Sequence, residues 1–289
     1  MPVQGFARPD QIPDIRRVWL KSFPEDTEEV VDTFLKRVDI TEECLIYIED
    51  DHPVSIVFLL PLALQLGGDV VPVQYIYAAG TDPAYRRRGI FGELLKAAME
   101  VARERGQIAS CLQPASEQLE QYYANFGYHT FFKVYRTQWT RAELAAHCAA
   151  RPAAVAEQET SSCYAKLRNR RLETQAAFVR WEPRFTDYTV DWAQRSGGGV
   201  LVREGVSALL EPVGDTLLVR ELLCEDKDLP AIYRTLYTQF PYPYYDIIHP
   251  ARPNKPYTAT GMWCPLSPRG EELLAQAPTL LPYMGLTLA

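Results

Sequence analysis

YIYAAGTDPAYRRRGIFGELLKAAMEVARERG, Tyr75 to Gly106, is the stretch on which the fold turns. It reads as a strand, a tight polar turn and a helix closed by Gly106, with Leu94, Leu95, Ala98, Val101 and Ala102 forming the helix's core-facing stripe. Arg86-Arg87-Arg88-Gly89-Ile90-Phe91-Gly92 sits where the chain enters that helix. A helix start leaves backbone N–H groups without intrahelical acceptors at the positive end of its dipole, a geometry suited to a pyrophosphate. Gly89 and Gly92 lack β-carbons and let a bulky anion approach the main chain, while the arginines add positive charge. The loop is neither a Walker A loop, which needs GK[ST], nor GxGxxG, and three arginines also suit an ordinary solvated helix start.

On the N-terminal side, Ile12, Ile15, Val18 and Trp19 after Asp10, and Val30, Val31, Phe34, Leu35 and Val38, mark two amphipathic helices. Cys44 to Ile48, Val54 to Leu60 and Val70 to Thr81 follow as a strand meander broken at EDDHP and at Gly67-Gly68-Asp69. Beyond Gly106 come a strand over Ile108 to Leu112, a helix from about Ser116 to Phe126 stopped by Gly127, and a strand from Tyr128 to Trp139. Residues 141–160, RAELAAHCAARPAAVAEQET, are Ala-rich and poor in large apolar side chains, as a linker between domains or a weak surface helix is, and the boundary between domains at 1–140 and 161–289 is placed there. In the second half the pattern predicts a helix near Tyr164 to Trp181 and strands over Val200 to Arg203, Ser207 to Glu211 and Thr216 to Cys224. A helix near Leu229 to Phe240 and further strands follow. This order loosely repeats the first half, as a diverged duplication does.

The 289 residues fit about two domains of roughly 150. Thirty Lys and Arg against 37 Asp and Glu give a net charge of −7, a poor match for nucleic acid or an anionic membrane, and the 47% hydrophobic content is that of a globular chain. The apolar run Val54 to Leu66 is interrupted by Pro61 and Gln65, short of the roughly 20 residues of a membrane span, and the first residues lack a signal-peptide core. Cys44, Cys111, Cys148, Cys163, Cys224 and Cys264 lie far apart, without zinc spacing, as reduced thiols of a cytoplasmic protein do. His52, His129, His147 and His249 are scattered and support neither a hydrolase triad nor a metal site.

About 30 residues after the arginines the chain reads SCLQPASEQLEQYYANFGYHTFF, Ser110 to Phe132. With this second segment the chain resembles the GCN5-related N-acetyltransferase (GNAT) superfamily. Arg86-x-x-Gly89-x-Phe91 matches two of the three positions of that family's [Q/R]xxGx[G/A] motif, and Tyr123-Ala124-Asn125-Phe126-Gly127-Tyr128 matches its YxxxG[FY] element. Phe91 stands in place of the usual small residue, as in acetyltransferases of the enhanced-intracellular-survival type. The resemblance covers roughly residues 1 to 140 and, more faintly, the rest as a degenerate second copy. It implies an α/β (α+β) GNAT fold with a mixed, mostly antiparallel sheet, in tandem with a degenerate second GNAT-like domain.

The resemblance further implies an N-acetyltransferase that moves an acetyl group from acetyl-CoA (coenzyme A) to an amine by direct attack. On that alignment Arg87, Arg88, Gly89, Ile90, Phe91 and Gly92 hold the pyrophosphate, and Ala79, Gly80 and Thr81 hold pantetheine and polarise the thioester carbonyl. Tyr123 corresponds to the general acid, a phenol protonated at neutral pH beside a departing thiolate. Leu119, Tyr122, Tyr123 and Phe126 also have core-like helical spacing, and Tyr122 is read as structural. For the general base Glu117, Asp82 and Glu43 lie in suitable regions, and the C-terminal carboxylate of Ala289 is a further candidate; Cys111 reads as packing rather than as a nucleophile. The acceptor is a small-molecule or peptide amine, with no nucleic acid, membrane or metal involved. The alternative is a non-catalytic acyl-CoA-binding or regulatory module.

By the same comparison Thr216 to Cys224 and Leu229 to Phe240 are the second half's strand and helix, joined by Glu225-Asp226-Lys227-Asp228. Three carboxylates at a helix start repel a pyrophosphate, so this half is not expected to bind coenzyme A. The aromatic run Gln239 to Pro250, with Trp263 beyond it, reads as interdomain packing or an acceptor groove.

Overall fold

The computed structural model describes residues 3–150, 161–203, 205–253 and 255–288. In chain order the elements are β1 (Val3–Phe6), α1 (Ile12–Ser22), α2 (Glu28–Leu35), α3 (Ile40–Glu43), β2 (Cys44–Glu49), β3 (His52–Leu66), β4 (Asp69–Thr81), α4 (Ile90–Glu104), β5 (Ala109–Leu112), α5 (Glu117–Ala124) and β6 (His129–Thr140). There follow α6 (Arg141–Ala146), α7 (Ser161–Leu172), β7 (Ala177–Arg180), α8 (Pro183–Arg195), β8 (Gly199–Arg203), β9 (Val206–Val213), β10 (Thr216–Leu223), α9 (Leu229–Gln239), β11 (Tyr244–Pro250), β12 (Thr258–Pro265) and α10 (Pro268–Leu280).

The residues group into two compact units. The first holds Met1–Leu64, Val70–Phe131 and Gly261–Ala277; the second holds Gln65–Asp69, Phe132–Thr260 and Pro278–Ala289. The predicted boundary at 141–160 is therefore displaced: the chain enters the second unit at Phe132. Arg141–Ala146 of the expected linker is a helix opened by a Thr140–Glu143 capping box, and its Leu144 is fully buried in the second unit's core. Residues 151–160 lie outside the described residues. The chain also returns to the first unit at Gly261, so 1–140 alone is not that unit.

In the first unit the strands run β1-β2-β3-β4-β5-β12. β5 lies parallel to β4, and β12 closes the edge antiparallel to β5, with Met262 opposite Leu112 and Trp263 opposite Cys111. Strand alternation sends side chains to two cores. Val57, Leu59 and Ile76 face α4, where Leu94, Leu95, Ala98 and Met99 pack on them. Trp19 of α1 and Phe34 of α2 meet Phe58 and Tyr77 on the other face, with Trp19 ring centroids 5.2, 5.5 and 5.7 Å from Phe34, Phe58 and Tyr77.

The second unit has strand order β6-β11-β10-β9-β8, in which β10 and β11 are parallel and β6 pairs antiparallel with β11. Each unit is thus a meander, a parallel crossover through one helix (α4 or α9), and a closing strand. This is the expected GNAT fold with a mixed, mostly antiparallel sheet, and the shared order supports the expected second GNAT-like half. The helix predicted over Tyr164 to Trp181 stops at Leu172; Ala177–Arg180 is a strand, whose Val179 N–H donates to the Tyr283 carbonyl at 2.9 Å.

Candidate functional site

Among the described residues β4 pairs with β5 at Gln74↔Ser110 and Tyr75↔Cys111. β5 ends at Leu112 whereas β4 runs on to Thr81, so the last six residues of β4 extend beyond the β5 pairing. Within that stretch Ala78 has φ 44, an uncommon backbone state for a residue with a side chain. Ala79, Gly80 and Thr81 follow directly. Ser55 of β3 fixes this end: its hydroxyl donates to the Gly80 carbonyl at 2.9 Å and lies 2.8 Å from the Thr81 hydroxyl. A β-carbon on Gly80 would lie 2.6 Å from the Ser22 hydroxyl oxygen, which explains why the end of α1 requires glycine there. The Ser22 hydroxyl is itself buried, without a hydrogen-bond partner among the described residues.

The arginine corner joins this strand to α4. Gly89 is the N-cap, at φ 79, and Arg87 at φ 65 shares its left-handed conformation. The six main-chain N–H groups from Arg87 to Gly92 have no acceptor among the described residues, the first intrahelical bond being Glu93 N–H to the Gly89 carbonyl at 3.1 Å. Such a row of unpaired donors at a helix N-terminus is a site for phosphate oxygens. The three arginines divide the surrounding work. Arg86 donates to the Thr81 carbonyl at 2.9 Å, tying the turn to the strand end. Arg88 pairs with Glu49 at 2.5 Å. Arg87 is exposed and has neither a charged partner nor a hydrogen-bond acceptor for its guanidinium among the described residues, which leaves that group available to an anion. Gly89 is required for its backbone angle, whereas a β-carbon on Gly92 would sit 3.0 Å from the Phe126 ring. Gly92 therefore leaves room for the Phe126 ring and the Tyr122 hydroxyl beside α4.

Tyr123 is buried on α5, 7% exposed, within a ring cluster. Its centroid lies 6.2 Å from Phe91, 5.7 Å from Tyr122 and 5.7 Å from Tyr128. Burial pushes its phenol well above the usual tyrosine range, so it stays protonated. Its hydroxyl has no hydrogen-bond partner among the described residues, whereas the Tyr128 hydroxyl is 2.7 Å from that of Ser110. The half-buried Tyr122 stacks on Phe91 at 6.0 Å, in keeping with its structural reading.

The carboxylates expected as bases are placed elsewhere or otherwise engaged. Burial acts to raise the Asp82 pKa, but Lys21, the Ala84 N–H and Arg17 together hold the carboxyl below its ordinary value. Its ion pairs with Arg17 and Lys21 span 2.9 and 2.8 Å. Glu43 accepts from the Asp39 N–H at 2.9 Å and closes the first turn of α3. Glu117 is exposed in the first turn of α5. Ala289 lies outside the described residues. Cys111 is fully buried, donates to the Gln74 carbonyl at 3.2 Å, and has its thiol pKa raised by burial, as a packing residue does. Among the described residues no cluster of His, Cys, Asp or Glu forms a metal site.

Sequence reasoning missed Asp26. It follows α1 in the turn that starts at Phe23, whose ring would be 3.3 Å from a Gly80 β-carbon. Burial raises its carboxyl pKa, opposed by a hydrogen bond from the Trp19 ring N–H at 2.7 Å. Nothing in the local sequence marks it, because the feature arises from the packing of α1 on β4.

The second unit has filled the equivalent places. Arg252 ion-pairs with Asp226 in the turn before α9 and donates to the Cys224 carbonyl at 3.0 Å. Beside the far end of β10 lies a buried cluster in which Glu221 accepts from Arg168 at 3.0 Å, Tyr164 at 2.7 Å and Tyr283 at 2.9 Å. Arg168 also donates to the Met284 carbonyl at 3.0 Å. Ionic and aromatic side chains thus occupy this unit's strand end. Tyr245 and Ile247 of the Gln239 to Pro250 run are buried in the unit's own core.

The sequence of residues 6–131 matches the family model described as "Acetyltransferase (GNAT) domain". No curated protein matches the chain. Among solved structures it is similar to a GCN5-related N-acetyltransferase from Kribbella flavida, with 19% identity, TM-score 0.71, and coverage of 92% of this chain and 72% of that one. Another GCN5-related N-acetyltransferase, from Anabaena variabilis, gives 13% identity, TM-score 0.68, and coverage of 92% and 73%. Eis1 from Mycobacterium abscessus gives 15% identity, TM-score 0.67, and coverage of 92% and 74%. At these identities the likeness establishes a shared fold.

Proposed function

We propose, from the premise that residues 6–131 are a GNAT-family acetyltransferase domain, that this chain transfers an acetyl group from acetyl-CoA to a primary amine. The observation that carries the proposal is the row of six N–H groups from Arg87 to Gly92, unpaired among the described residues, at the start of α4, beside a strand end that extends beyond its pairing with β5. A pyrophosphate fits the first feature, because it offers several acceptor oxygens and a charge that both the helix dipole and Arg87 favour. An extended chain with amide groups fits the second, since Ala79, Gly80 and Thr81 lie beyond the β4 residues that pair with β5.

Acetyl-CoA supplies an acyl thioester whose carbonyl becomes an oxyanion under amine attack. The residues of the chain meet the remaining demands. Backbone dipoles at Ala79 to Thr81, held by Ser55, are positioned to polarise a carbonyl. Tyr123, held protonated by burial and without a hydrogen-bond acceptor among the described residues, offers the leaving sulfur its hydrogen bond or its proton, the phenol recovering any proton given up from solvent; the conjugate acid of that sulfur has a pKa of about 8.5. An amine with pKa near about 10.4 must lose a proton first. The raised pKa of Asp26 suits it to accept one, directly or through water. The acidic run Glu25-Asp26-Thr27-Glu28-Glu29 around it favours a cationic acceptor, whether a small molecule or a peptide amine. Six cysteines outside any disulfide support a reducing, cytoplasmic setting.

One observation favours a second reading, a non-catalytic acyl-CoA-binding module: Asp82 and Glu43 are both committed to other partners. Turnover separates the two. Thiol release from acetyl-CoA over an amine panel, together with calorimetric binding of CoA, is expected to show both binding and turnover. Binding without turnover selects the module, and absence of binding rejects both readings.

A further inference from the structure

Phe91 stands where the family motif has a small residue, and its main chain and side chain face two different tasks. Its N–H belongs to the unpaired row at the start of α4. Its ring stacks on Tyr122 at 6.0 Å and 28° and meets Tyr123 edge to face at 6.2 Å and 82°. Among the described residues Tyr123 has no hydrogen bond to fix its phenol, so the side chains packed on it, the Phe91 ring among them, set where that hydroxyl lies. Tyr128, one of those contacts, is fixed by Ser110, and Tyr122 is fixed by Phe126 at 5.2 Å. Phe91 is the member of the cluster that also lies in the cofactor turn.

We infer that Phe91 is a positioning residue: the ring it contributes orients the Tyr123 phenol, so that gripping a diphosphate at the Arg87–Gly92 turn also sets the proton donor. The inference rests on the proposed acetyltransferase reading and deepens it. Edge-to-face ring pairs have defined geometry and modest energies, so loss of one ring leaves the fold intact while opening space into which the neighbouring side chain, and with it the phenol oxygen, shifts. The main-chain donor at position 91 survives any substitution other than proline, so binding and orientation can be separated.

The experiment measures kcat and the acetyl-CoA KM for native protein, Phe91→Ala and Phe91→Leu, each alone and combined with Tyr123→Phe. Phe91→Ala is expected to lower kcat about tenfold with KM changed less than about threefold, and Phe91→Leu, which keeps most of the packing volume, to recover part of the loss. In the Tyr123→Phe background the alanine change is expected to cost less than about twofold, because a phenol already absent cannot be misplaced. Equal loss in both backgrounds, or a change confined to KM, overturns the inference. A protein that binds CoA without turnover calls for a fluorine label on Tyr123. Its resonance is expected to move on CoA addition in native protein and to stay still in Phe91→Ala; movement in both overturns the inference. That outcome tests Phe91 while the catalytic reading fails, and a protein that binds no CoA thioester removes both.

Discussion

Two single residues give the sharpest tests of the first unit. Tyr123→Phe keeps the ring contacts and removes only the proton, so kcat is expected to fall about 100-fold while calorimetric CoA affinity holds. Equal turnover in the variant removes Tyr123 from the mechanism. Gly80→Ala brings a β-carbon within 2.6 Å of the Ser22 oxygen, so α1 must shift from the strand end; a loss of about 1 to 3 kcal/mol in denaturant unfolding is expected, together with reduced turnover. What the sequence disclosed at this scale was motif chemistry: Gly89, the arginine corner and Tyr123 all lie on the elements expected of them. The base was not legible. A carboxylate's capacity to take a proton depends on burial and ion pairing, and Asp82 acquires Arg17 and Lys21 from α1, more than 60 positions away.

Among the elements, the α4 turn predicts a division between charge and main chain. Arg87→Gln removes an unpaired cation and is expected to weaken CoA binding severalfold and flatten its salt dependence. Arg88→Gln should weaken it less, since Arg88 is already paired with Glu49. Comparable effects at both positions refute that assignment. Helices and strands with strong periodicity were readable, α4 and β4 almost to the residue. β7 was hidden because the turn at Thr174 to Ala176 carries no glycine or proline, so the α7 pattern ran on into AFVR. α8 and α10 were not anticipated, although each opens with proline at its first helical position.

For the molecule as a whole, the second unit carries a pH-dependent stability. Burial pushes the His249 pKa down to about 4, so the folded state holds the ring neutral while the unfolded chain protonates near about 6.5. The unfolded state then binds more protons, and stability present above about pH 6.5 is lost as pH falls towards 4, by up to about 3 kcal/mol. His249→Gln should flatten that limb in pH-resolved unfolding; an unchanged slope contradicts it. Glu221→Gln leaves Arg168 buried without its counter-charge and is expected to cost about 3 to 5 kcal/mol. The tandem character of the fold was visible in the repeated order of elements. The origin of the closing strands was not, because no local pattern records a pairing such as Leu112 with Met262.

That pairing has a bearing on biosynthesis. When the ribosome has delivered Leu112, the open side of β5 must wait for β12, and at about 5 to 20 residues per second the interval is on the order of ten seconds or more. Throughout that interval the nascent first unit presents a naked strand border to its surroundings. A ribosome-stalled intermediate ending near residue 240 is therefore expected to recruit holdase chaperones that a nascent chain extended beyond Ala277 no longer engages.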